Sequence, residues 1–148
     1  MPDRWVLDTN IYIGALRDRQ KLAALKRFRV RARDRLRMSS VVALELRACA
    51  VTPAHAAAVD DLVRPYAERD RAVTPSFDAW IEAGRVLSSL ATAERLRIAE
   101  APRSFVNDVV LAASCRESDL VLVTDNARDF TAIQRHLKGF RFREALPE

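Results

Sequence analysis

Short apolar runs alternate with amphipathic stretches along this chain. Arg4-Trp5-Val6-Leu7 reads as a buried strand that stops at Asp8-Thr9-Asn10, three residue types suited to helix N-caps. A first helix opens at Ile11 and runs to about Ala15, and Leu22, Leu25 and Phe28 recur at helical spacing in a second. Arg29 to Arg33 alternates with period two, but its flanks favour helix. Leu36-Arg37-Met38 is a second strand, stopped by Ser39-Ser40, and a helix follows from Val41 to about Val51. Pro53 starts an Ala-rich helix to about Ala67, and Ala72-Val73-Thr74 is a short strand closed by Pro75. Ser76 caps a helix carrying Phe77, Trp80, Ile81, Val86 and Leu87, and Pro102 with Ser104 announces another through Cys115. Leu120-Val121-Leu122-Val123 is the clearest buried strand and ends at Thr124-Asp125-Asn126. A short helix near Phe130–Leu137 and a strand at Phe140–Phe142 finish the pattern. Strands that alternate with helices imply βαβ units. The expected fold is a single α/β domain over residues 1–148, a three-layer α/β/α sandwich on a central parallel sheet.

Composition narrows the class. The 148 residues are 49% hydrophobic and 30% charged, which excludes disorder by low hydrophobicity. No apolar run approaches the roughly 20 residues that span a bilayer, and the first residues do not read as a secretion signal. Cys49 and Cys115 are too few for a disulfide framework or a four-ligand zinc site. The expectation is a soluble, reduced, cytoplasmic protein.

Charge is unevenly placed. Residues 1–50 hold 12 basic and 5 acidic side chains, a balance of +7, whereas residues 51–148 hold 13 and 15, a balance of −2. Ten basic residues lie within Arg17–Arg37 against Asp18 and Asp34. Of the basic residues 22 are Arg and 3 are Lys, and the guanidinium fork matches phosphate oxygens in pairs. Such a stretch is either a footprint for a polyanion, nucleic acid in the simplest case, or the solvated face of an Arg-rich helix.

Ligands of open α/β sheets bind beyond the carboxyl ends of the strands. Acids sit there: Asp8 after the first strand, Asp125 and Asp129 after the fourth, Glu45 about a helical turn past the second, and Asp108 early in its helix. Gathered carboxylates repel, so they share protons or a cation. Oxygen donors without a His or Cys cluster suit Mg²⁺ or Mn²⁺ rather than zinc. Each acid also has a structural explanation. Asp8 can be an N-cap, Asp108 can complement a helix dipole, and Asp125 and Asp129 can be turn and cap residues. Glu45 is harder to explain, because Val41, Val42, Ala48 and Cys49 on its face are apolar, and a buried carboxylate needs an arginine or a metal.

Four segments then resemble a known family. Val6 to Asn10, Ser39 to Leu46, Asn107 to Ala113 and Val123 to Phe130 are similar, in order, to the motifs of PIN-domain ribonucleases, closest to the VapC-like toxins of toxin–antitoxin pairs. That resemblance covers nearly the whole chain, and about residues 53–100 depart most from it. It implies that Asp8, Glu45 and Asp108 bind metal, with Asp125 or Asp129 as a fourth acid and Thr9 and Thr124 as polar companions. It further implies Mg²⁺-dependent hydrolysis of RNA, a homodimer, and a cognate antitoxin. Two other readings are a PIN module that binds RNA without cutting it, and a haloacid-dehalogenase-like phosphatase. The second lacks an Asp at position 10 and a suitable Lys among Lys21, Lys26 and Lys138. His55 and His136 read as surface or satisfied side chains, Cys49 and Cys115 as small core residues, and the Trp80 helix as core or dimer surface.

Overall fold

The computed structural model describes residues 2–93 and 98–148. Among them, five parallel strands form one sheet: β1 (Trp5–Leu7), β2 (Leu36–Ser39), β3 (Ala72–Val73), β4 (Val121–Val123) and β5 (Arg141–Arg143), in the order β3-β2-β1-β4-β5. The helices are α1 (Thr9–Arg17), α2 (Arg19–Arg31), α3 (Ser40–Cys49), α4 (Pro53–Glu68), α5 (Phe77–Ala93), α6 (Arg103–Glu117) and α7 (Ala127–Gln134). A single 3-10 turn, Ile98–Glu100, precedes α6.

Every residue of β1 and β4 is buried, as expected for strands covered on both faces. Right-handed crossovers put the helices that link β1, β2 and β3 on one face, and those that lead to β4 and β5 on the other. Most helix contacts sort the same way: α1 packs on α2 and α3, and α3 on α4, while α6 packs on α5 and α7; α3 and α6 also meet each other. Core side chains include Leu7, Leu36, Met38, Leu90, Leu122 and Phe130. Phe130, Phe140 and Phe142 form a ring cluster with centroids 5.8–6.1 Å apart. At the edge, β5 exposes Arg141 and Arg143 on either side of half-buried Phe142, and Arg141 pairs with Asp3 and Asp119.

The expected order of elements and the parallel α/β class hold. Boundaries move by a few residues: α1 extends from Thr9 to Arg17, and α7 begins at Ala127 rather than near Phe130. The Arg29–Arg33 alternation is absorbed into α2 and the turn after it. Asp18 ends α1 and caps α2, its carboxylate accepting from the amides of Gln20 and Lys21. Ser76 does cap α5, its hydroxyl accepting from the Ala79 amide.

Two burial outcomes differ from the core alternative. Of the two readings of the Trp80 helix, core or dimer surface, the first does not hold for Phe77, Trp80 and Ile81, which are exposed because α5 turns Ala79, Ala83, Val86 and Leu90 inward instead. Cys49 is exposed at the end of α3, whereas Cys115 is buried as expected. His55 is exposed, and His136 is half-buried and bonded.

Candidate active site

The strand order reverses between β1 and β4, which creates the crevice where open α/β sheets bind ligands. Trp5, Val6 and Leu7 pair in register with Val121, Leu122 and Val123, so Asp8 and Thr124 emerge side by side. The Asp8 amide donates to the Val123 carbonyl at 2.9 Å, which locks that adjacency. Asp8 is buried at the start of α1, and its Oδ1 accepts from the Thr9 amide at 2.8 Å. The cap role and the site role therefore coexist in one side chain.

Thr124 is fully buried and uses its whole hydrogen-bonding capacity. Its hydroxyl donates to Asp8 Oδ2 at 2.8 Å and accepts from Asn10 Nδ2 at 3.2 Å and the Asn126 amide at 3.0 Å. Asn10 Nδ2 also donates to Asp8 Oδ2 at 3.3 Å, and its Oδ1 accepts from the Asp125 amide at 3.0 Å. The Thr9 hydroxyl donates to Glu45 Oε1 at 3.0 Å. Asn126 Nδ2 reaches Asp129 Oδ2 at 3.0 Å and Asp108 Oδ2 at 3.4 Å. A chain of hydrogen bonds thus runs Glu45–Thr9–Asp8–Thr124–Asn126 and ends on both Asp108 and Asp129.

Electrostatics tie the same acids together. Burial pushes the Asp108 carboxyl up to about 8, and the charges of Asp8, Glu45 and Asp129 add to the rise. Asp8 is raised too, by burial first and then by Glu45 and Asp125, against the lowering effect of the Thr124 and Thr9 hydrogen bonds. Among the described residues no lysine or arginine forms an ion pair with these acids. The arginine that could have compensated Glu45 is therefore not found.

Asp8, Glu45, Asp108 and Asp129 meet at one end of the sheet. Asp125 is exposed and lies on the α1 side, where its Oδ2 would be 3.9 Å from a Cβ at Gly14. Glu45 is half-buried, not buried, because Ala48 and Cys49 on its helix face solvent. Among the described residues no three acids, His or Cys stand close enough together to enclose an ion. The acids instead spend their oxygens on Thr9, Asn10, Thr124 and Asn126. The donor set still suits the chemistry of a hard divalent cation, being all oxygen, buried at Asp8 and Asp108 and half-buried at Glu45 and Asp129, and without a positive partner among the described residues. Sequence reasoning missed Asn10 and Asn126 as members of the site. Their signal was spacing alone, two positions after Asp8 and two after Thr124.

The Thr124→Val variant keeps the side-chain shape and removes the hydroxyl. It should lower stability by about 1–3 kcal/mol, since Asp8, Asn10 and the Asn126 amide lose a buried partner. A thermal melt indistinguishable from that of the unchanged chain would contradict the network.

These features define an acid-rich crevice at a sheet's switch point. The family model of the PIN domain matches residues 5–135, and the chain belongs to that family. With the family shown, the dehalogenase-like reading falls away. The fold is similar to "DNA bound VapBC from Salmonella typhimurium", with a TM-score of 0.68 and 23% identity over 96% of this chain and 98% of that one. It is also similar to VapBC-1 from nontypeable Haemophilus influenzae, with a TM-score of 0.66 and 21% identity over 95% and 96% of the two chains. FitAcB from Neisseria gonorrhoeae gives 0.63 and 17% identity over 95% and 96%. A comparison with curated proteins gives no match. No described helix is long and apolar enough to cross a membrane.

Proposed function

We propose that this chain is a metal-dependent endoribonuclease, the toxin of a toxin–antitoxin pair, with residues 1–148 acting as one PIN-like domain in the cytoplasm. The observation that carries the reading is Asp108, buried among like charges at the β1–β4 crevice with no cationic partner among the described residues. PIN domains are generally nucleases, which fits hydrolysis of a phosphodiester bond. Asp8, Glu45, Asp108 and Asp129 would hold Mg²⁺, for which Mn²⁺ can substitute. When bound, such an ion makes hydroxide available near neutral pH and offsets charge on the phosphate.

The chain's own residues supply the alignment. Thr124 and Asn10 fix Asp8 from one side while the Thr9 amide fixes it from the other. Asn126 sets the orientation of Asp108 and Asp129 together. Shared contact with Asn126 favours Asp129 over Asp125 as the fourth acid. A cognate antitoxin and a second copy of the chain are the partners proposed with this role, in keeping with the two-component VapBC and FitAcB structures of the same fold.

Labelled RNA incubated with the protein should be cut in Mg²⁺ or Mn²⁺ and left intact in EDTA. Asp8→Asn should be inactive, and Asp129→Asn should lose about 10-fold or more of the rate where Asp125→Asn changes it little. Cleavage that survives both EDTA and Asp8→Asn would place the activity elsewhere, and RNA bound but never cut would favour the non-catalytic module.

A further inference from the structure

The concentration of arginine in the first third of the chain is not used by the acid site. In the fold it resolves into a groove of about 510 Å³ between α2 and α4, at the start of β2. Lys26, Arg29, Arg33, Arg69 and Arg71 line it above an apolar floor that includes Leu36 and Tyr66. Among the described residues no carboxylate lines this groove. Arg71 is steadied by the Arg33 carbonyl at 2.7 Å and by exposed Asp34 at 3.5 Å. Lys26, Arg29, Arg33 and Arg69 have no ion-pair partner among the described residues.

The groove lies away from the acids. Lys21, near the front of α2, sits beside Gly14 and so near Asp125, whereas Arg33 follows the far end of α2. Along the axis of α2 the groove's Lys26 and Arg29 lie about 8 and 12 Å beyond Lys21. A crevice of carboxylates repels any phosphodiester chain brought to it, so attraction for such a chain has to come from another part of the surface. Five cations that face one another across the groove, of which only Arg71 has a carboxylate partner among the described residues, supply that attraction. Four of the five are arginines, which bind phosphate through paired donors.

We infer that the α2–α4 groove is a nucleic-acid exosite that grips the phosphodiester backbone, outside the acid crevice. The inference rests on the nuclease reading of that crevice. Binding measured in EDTA reports on the groove whether or not the crevice cuts, so the two can fail separately.

The test uses the full chain and two doubly reversed variants. Arg33→Glu/Arg69→Glu alters the groove. Arg27→Glu/Arg64→Glu changes the net charge equally on exposed positions of the same two helices, outside the groove lining. Thermal melts check folding, and Arg33→Gln/Arg69→Gln serves if the reversed pair does not fold. Labelled single-stranded RNA and duplex DNA are titrated at several salt concentrations. The groove variant should bind at least tenfold more weakly than the control variant, with a salt slope smaller by about 1.4 on RNA, as for two lost phosphate contacts. A loss confined to RNA assigns the backbone to a single strand, and a loss confined to the duplex assigns it to DNA. Equal losses in both variants overturn the inference, as does polyglutamate displacing RNA from the unchanged protein at equal charge concentration, which would mark the groove as a seat for an acidic protein segment.

Discussion

Asp108→Asn should cut RNA at least about 100-fold more slowly, yet melt at a higher temperature than the unchanged chain in EDTA near pH 8. The activity loss follows from removing one anionic oxygen donor from the set that fits a divalent cation. The gain in stability follows from the sign of the shift. Asp108 has an ordinary carboxyl value of 3.8 and is pushed up to about 8 in the folded chain by burial and by Asp8, Glu45 and Asp129. The folded form therefore keeps a proton that the unfolded chain has released. Stability associated with this group is intact below about 4 and drains away as pH rises through the interval to about 8. Asn keeps the shape without the charge, so the variant escapes a penalty on the order of 2–4 kcal/mol at the upper end. Melting both proteins at pH 5 and pH 8 in EDTA checks the argument, because the gap should widen with pH. A variant that melts lower at pH 8, or a gap that does not change, would show that Asp108 is neutralised by a partner. Mg²⁺ should then raise the melting temperature of the unchanged chain more than that of Asp108→Asn.

Phe130→Ala should lower stability by about 3–5 kcal/mol, the usual range for emptying a buried ring site. Phe130 is fully buried and meets Phe140 and Phe142 at centroid distances of 5.9 and 6.1 Å. For a chain of this size each kcal/mol moves the midpoint by roughly 2–4 °C, so a shift of about 6–20 °C is expected. Phe130 directly follows Asp129 on α7, so the loosened helix should also weaken the Asn126–Asp129 contact. Chemical denaturation giving less than about 1 kcal/mol would mean that the ring cluster closes over the gap.

Most of the architecture was legible because β1 and β4 are short, wholly apolar and bounded by residues that start helices. Their carboxyl ends carry Asp8 and Thr124, and parallel pairing alone brings those two together. The side chosen by each helix was harder to read. Trp80 is apolar, but the 100° step of α5 gives the inward positions to Ala79 and Ala83, a choice made by the sheet beneath them. Glu45 was placed on an apolar face, yet α3 ends so soon after it that Ala48 and Cys49 are left in solvent. Asn10 and Asn126 escaped notice because an amide carries no charge to mark it. Asn10 acts through contacts of 3.0 and 3.2 Å with residues 115 and 114 positions away, and Asn126 through Asp129 on the helix it caps and Asp108, 18 positions away.

The sheet's two outer margins also have a consequence for solubility. A bare strand border offers free amides and carbonyls to any other chain, and proteins blunt it with brevity or with charge. Here β3 has two residues, too few to template a partner, and β5 sets a guanidinium on each side of its one inward ring. Self-association by strand addition is thereby discouraged at both borders, so copies of this chain would have to meet through helices rather than through a continuous intermolecular sheet.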